Sequence, residues 1–143
     1  PVPGLCGLAG VNVDGFLAND RNRDAISMAI DRSRAIGAFG LDEWTPQATL
    51  RLSQNLRTPG IDPLLPPWIE LTMPERKARA AAIVAAYKST GRSIAPLRIA
   101  LPQGPGSRIL FAWIAADLRA IGLRAQRVGI TDAADLRLID EVA

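Results

Sequence analysis

The stretch Leu97 to Ile130 reads LRIALPQGPGSRILFAWIAADLRAIGLRAQRVGI, and its hydrophobic spacing changes twice. Leu97, Ile99 and Leu101 alternate with Arg98 and Ala100, the period of two that puts one set on a single face of a strand. After the break QGPGS, the residues Leu110, Trp113, Ile114, Leu118 and Ile121 recur at three and four. That spacing predicts a helix capped by Ser107, with Trp113 in the core and Gly122 just past its end. Leu123 to Ile130 reads as a second strand, and Asp135 to Ile139 as a possible third. Strand, helix and strand with short joints form a βαβ unit, whose right-handed crossover makes the two strands parallel. The expected fold class is α/β.

Upstream, Leu5 to Val13 (LCGLAGVNV) reads as a strand running into a loop, Asp14 to Asn19. Asp20 is then placed to cap a helix whose buried side centres on Ile26, Ala29 and Ile30, with Arg21 and Arg23 towards solvent. An acid is unfavourable at the negative end of a helix dipole and favourable at a helix start. Asp31 is therefore expected to cap a second short helix, Ser33 to Phe39, rather than to finish the first. Prolines at 46, 59, 63, 66 and 67 exclude regular structure from most of residues 40–71, yet Trp44, Ile61, Leu64, Leu65, Trp68 and Ile69 are too apolar for a disordered linker. This segment reads as a Pro-rich ordered loop packed across the domain. Thr72-Met73-Pro74-Glu75 is a capping box with Pro in the first turn, and Ala80, Ile83, Val84 and Tyr87 follow at helical spacing, so a helix from Met73 to about Ser89 is expected.

At 143 residues and 48% hydrophobic content, the chain suffices for one core, and a single α/β domain over residues 1–143 is expected. No apolar run approaches the roughly 20 residues that span a bilayer. The sequence opens at Pro1, so any targeting signal is expected to have been removed or to lie outside it, as in a fragment. The net charge is +3, but the 17 bases are spread from Arg21 to Arg137 with acids between them, which points away from nucleic acid as a partner. Cys6 is the one cysteine, with Pro3 where a lipoprotein cleavage site would carry an aliphatic residue, so Cys6 is expected to be a small buried residue. Histidine is absent, which removes the commonest general base and neutral metal ligand. No catalytic constellation and no metal or cofactor site can be assembled, and the expected protein is not an enzyme.

The most suggestive stretch is Pro102 to Arg108, PQGPGSR. Its glycines let backbone N–H groups face outward at a helix start, where a carboxylate or phosphate is welcome, and Ser107 and Arg108 add donors. The plainer reading is an ordinary strand-to-helix turn, because neither the Walker spacing nor the dinucleotide glycine pattern is present. In such sheets ligands bind beyond the carboxyl ends of the strands, where this loop lies. Trp44 and Trp68 either pave a pocket or pin the Pro-rich loop, the second being the more frequent role. Asp132, Asp135, Asp140 and Glu141 lack calcium-loop spacing and read as a solvated tail.

RNRDAISMAIDRSRAI, residues 21–36, resembles a segment of the family 5 extracellular solute-binding proteins, the peptide and nickel receptors of ABC importers. Arg23, Ala25, Ala29, Ile30, Asp31 and Arg32 occupy that pattern. The order of the later segments is similar too: a Pro-rich loop, ERKARAAAIVAAY, LRIALP, and a helix ending DLRAIGLRAQRV. The resemblance runs from Val11 to Leu138 and covers part of one lobe of a two-lobed receptor of the type II periplasmic-binding-protein kind. Beyond Val128 the chain departs from the pattern, lacking the following helix and any recognisable aromatic and acidic ligand motif in DLRLIDEVA. The resemblance implies a non-enzymatic, cofactor-free protein that is periplasmic or membrane-associated. It would bind an oligopeptide, dipeptide or related solute between two lobes and deliver it to a membrane permease. It places Gln103, Ser107 and Arg108 at the cleft, with Trp44 close to it. A different class remains open, the ligand-sensing domain of a transcription regulator, and a signal peptide or a helix-turn-helix in the adjoining sequence would separate the two.

Overall fold

The computed structural model describes residues 4–10, 15–33 and 68–142. Its elements run β1 (Gly4–Gly10), a 3-10 turn (Gly15–Ala18), α1 (Asp20–Ala29), α2 (Met73–Ser89), β2 (Leu97–Leu101), α3 (Pro105–Ala120), β3 (Ala125–Gly129) and β4 (Leu136–Val142). The body of the expected Ser33–Phe39 helix, Trp44 and most of the Pro-rich loop lie outside the described residues, as does the Cys6 side chain.

The four strands form one sheet in the order β1-β4-β2-β3. β2 and β3 pair in parallel from Leu97 opposite Ala125 to Leu101 opposite Gly129, as the βαβ reading requires. β4 lies parallel on the other side of β2, with Ile99 opposite Leu136 and Ala100 opposite Arg137. β1 closes the order antiparallel to β4, from Gly4 opposite Val142 to Gly10 opposite Leu136. β2 is thus an interior strand, and Leu97, Ile99, Ala100 and Leu101 are all buried.

Each helix forms for legible reasons, with two shifts from the sequence expectation. The α1 cap is Asn19, one residue before Asp20, because the Asn19 side chain reaches the Arg21 N–H at 2.8 Å. Asp20 becomes a first-turn acid that pairs with Arg23, whose guanidinium also donates to the Leu17 carbonyl. In α2 the capping box is complete: the Glu75 N–H donates to the Thr72 hydroxyl, and the Thr72 N–H to the Glu75 carboxylate. α3 starts at Pro105, with Gly104 as a cap that offers no side-chain hydrogen bond, and Ser107 falls inside the first turn. Gly104 takes this role because its φ of 128° is open to glycine alone at little cost. The far end closes as anticipated: Gly122 has φ 92°, its N–H donates to the Arg119 carbonyl, and the Leu123 N–H donates to the Leu118 carbonyl.

Between sheet and helices lies a core built on Ile99, Leu101, Leu118, Ile121, Leu123 and Val84, all almost wholly buried. Trp68 joins it at 4% exposure, with the Arg76 guanidinium 5.1 Å over its ring, so this tryptophan pins the end of the Pro-rich segment. Trp113 does not join it. The residue is half-buried and outside the core cluster, because the arc of α3 turned inward runs through Ile114, Asp117 and Leu118.

Asp117 is the buried charge on that arc, at 2% exposure. Its carboxylate accepts from Lys77 Nζ at 2.8 Å and from the Asp31 backbone N–H at 3.0 Å, tying the second turn of α2 and the end of α1 to α3. Arg32, the last residue of the Ala-Ile-Asp-Arg motif, turns back to cover the carbonyl end of α1, donating to the Ser27 carbonyl at 2.8 Å and the Ser27 hydroxyl at 2.9 Å. Burial first, and the nearby charge of Arg76 second, lower the Arg32 pKa. A guanidinium stays charged through such a shift, so this arginine is a cationic cap.

Candidate ligand edge at the carboxyl ends of the parallel strands

β2 ends at Leu101 and β3 at Gly129, opposite one another, so the loops that follow share one edge of the sheet. On the β2 side the chain passes through Pro102 and Gln103, bends at Gly104 and enters α3. Arg127 of β3 holds this passage in place, its Nη2 donating to the Pro102 carbonyl at 2.7 Å. The start of α3 is unusual in its donors: Pro105 has no N–H, no side chain caps the turn, and the Arg108 N–H returns to the Gly104 carbonyl at 3.3 Å. The N–H groups of Gly106 and Ser107 therefore belong to a first turn that no side chain caps, at the positive end of a 16-residue helix.

Of the residues singled out in sequence, Gln103 and Arg108 are exposed and Ser107 is half-buried, and all three sit on this loop and turn. Trp44 lies outside the described residues. Two apolar side chains on the same edge escape a reading by periodicity. Ile109, next to Arg108, is 47% exposed, and Ile130, directly after β3, is 38% exposed. Ile109 falls off the buried arc of α3, and that was the available signal. Together they put apolar surface beside a cation and an uncapped helix start, a mixture suited to an anionic or polar small molecule with an apolar part.

Asp132 and Asp135 are not part of a solvated tail, and the side chains of Asp140 and Glu141 lie outside the described residues. Asp132 Oδ2 accepts the Gly129 N–H at 2.7 Å and stops β3, while Arg137 donates to the carbonyls of Ile130 and Asp132. Asp135 is 8% exposed and faces Arg98: its carboxylate takes the Arg98 N–H at 2.8 Å, and its own N–H donates to the Arg98 carbonyl at 2.8 Å. This doubled contact delays β4 to Leu136. Among the described residues no cluster of cysteines and acids is placed to hold a metal, and no helix is long and apolar enough to cross a membrane.

No family model matches the sequence, and no curated protein matches it. Solved structures do match in fold. The murein tripeptide binding protein MppA of Escherichia coli superimposes with a TM-score of 0.73 at 19% identity, over 100% of this chain and 30% of that one. The unliganded open form of the periplasmic murein tripeptide binding protein MppA gives 0.68 at 20% identity, over 100% of this chain and 29% of that one. The chain thus spans about 30% of the length of the binding proteins it matches. Its α/β architecture is that of part of a lobe of a periplasmic binding protein.

Proposed function

We propose that this chain is part of one lobe of the solute-binding component of an ABC importer. Such a protein closes two lobes around its solute and presents it to a membrane permease, from the periplasm or the outer face of the membrane. The observation that carries the reading is the likeness of fold over the whole chain to a murein tripeptide binding protein. It agrees with the independent order of sequence motifs from Arg23 to Val128. The chain binds rather than transforms: its conspicuous polar groups are arginines, amides and helix-start N–H groups, which recognise carboxylates but neither take up nor release protons near neutral pH.

Within this reading the solute contacts the carboxyl edge. Gln103 supplies an amide, Ser107 a hydroxyl and N–H, Arg108 a guanidinium, and Ile109 and Ile130 apolar surface. A short peptide or related small solute with a carboxylate suits these groups. The test is a melting-shift series on the longer protein that contains this chain, against di-, tri- and oligopeptides, sugars and nickel. A true ligand at about 100 times its Kd adds roughly 2.7 kcal/mol of stability, and Arg108→Ala should reduce that gain. Unchanged melting across the panel would overturn the proposal.

A further inference from the structure

Between the 3-10 turn with the start of α1 and the end of α2 lies an open groove of about 500 Å³. Ile83, Ala86 and Tyr87 of α2 line it on one side, Asn19 and Arg21 on the other, and Arg92 at the end. Arg92 precedes β2 and Pro102 follows it, so the groove and the ligand edge adjoin opposite ends of that strand in the chain.

Six arginines are held by structure: Arg23, Arg32, Arg76, Arg98, Arg127 and Arg137 all donate to carbonyls or carboxylates. Arg21 and Arg92, which line the groove, are not among them. Both are exposed, and among the described residues neither has a carboxylate partner. The Arg92 guanidinium rests over the ring of Tyr87, 5.7 Å from its centroid, and Phe16 meets that ring edge-on at 5.1 Å and steadies it. Among the described residues no acid lines the groove, and the neighbouring Asp20 is already engaged by Arg23.

We infer that this groove is a docking site for an acidic peptide segment of a partner protein, with its carboxylates on Arg21 and Arg92 and an apolar residue on Ala86 and Tyr87. A peptide suits the site better than a free small anion. Two solvated cations in an open groove hold a lone anion weakly, because water and salt screen them, whereas a chain adds several carboxylates and apolar contact at once. The inference is independent of what binds at the carboxyl edge.

The test is an NMR titration of the longer protein that contains this chain with hexaglutamate carrying one central leucine, with hexalysine of the same design as control. Shifts are expected at Arg21, Ala86, Tyr87 and Arg92 with the acidic peptide only. Binding should weaken about tenfold or more in the double variant Arg21→Glu, Arg92→Glu, and also on raising the salt. Both side chains are exposed, and circular dichroism checks that the variant keeps its fold. Charge-neutral Arg92→Gln supplies an intermediate loss. Shifts confined to residues 102–109, equal binding of both peptides, undiminished affinity in the double variant, or no shift at millimolar peptide would each overturn the inference.

Discussion

Two helices of similar length begin in opposite ways. α2 starts with side chains on two of its donors: Thr72 and Glu75 close on each other, and Pro74 removes a further N–H. α3 starts on a bare glycine with no side-chain cap, although a capping residue there commonly contributes about 1 kcal/mol. The capped start looks after itself, while the uncapped start leaves donors turned outward at the carboxyl ends of the parallel strands. The difference separates a helix end closed by its own side chains from the one at which we propose the solute binds.

The largest effect that probes this contrast is expected at Asp117, which ties the secure half of the molecule together. Asp117→Ala removes the buried carboxylate that takes the Asp31 N–H and faces Lys77, and should cost about 2 to 3 kcal/mol in denaturant unfolding. A loss below about 0.5 kcal/mol, the level of an ordinary surface change, would show that the tie is incidental. Gly104→Ala comes next. The φ of 128° is unfavourable for any residue with a Cβ, so about 1 to 3 kcal/mol should be lost, even though the added carbon meets no neighbour. Thr72→Ala removes half of the capping box and should lower stability by about 1 kcal/mol. Ser107→Ala at the corresponding turn of α3 should change stability by less than about 0.5 kcal/mol. Equal costs at Thr72 and Ser107 would break the contrast.

The smallest effect concerns pH. Hydrogen bonds from the Thr72 side chain, then from its backbone, hold the Glu75 carboxyl below its ordinary range. A carboxyl depressed in the folded state stabilises the fold above its unfolded pKa, and that contribution is lost as pH falls through the folded value. Amide protection at the first turn of α2, taken relative to the intrinsic exchange rate at each pH, should therefore fall on acidification below the ordinary carboxylate range. The first turn of α3, which has no acid, should not follow.

Much of the fold was legible because the signals are local. The capping box fixes where α2 begins, the alternation of Leu97, Ile99 and Leu101 marks a strand, and Gly122 ends α3, since each depends on residues within one turn or one pleat. Where the reading slipped, the competing partner was distant or indistinguishable in type. Asn19 and Asp20 are both good caps, and only the backbone geometry selects the first. Trp113 lost its core position because α3 turns Ile114, Asp117 and Leu118 inward instead, and the Lys77 that Asp117 faces is 40 residues from it in the chain. Asp135 looked like a tail acid because Arg98, its partner in space, is 37 residues upstream.

For function the division is similar. The sequence by itself determined the α/β class, the absence of histidine chemistry, and the glycine-broken loop Pro102 to Arg108, since period and residue type need no partner to be read. Only the tertiary structure decided that β4 joins β2 and β1, that Ile109 and Ile130 share an edge with that loop, and that Arg21 and Arg92 flank one groove. These are facts about neighbours far apart in the chain, and the free energy of packing, not local propensity, brings them together.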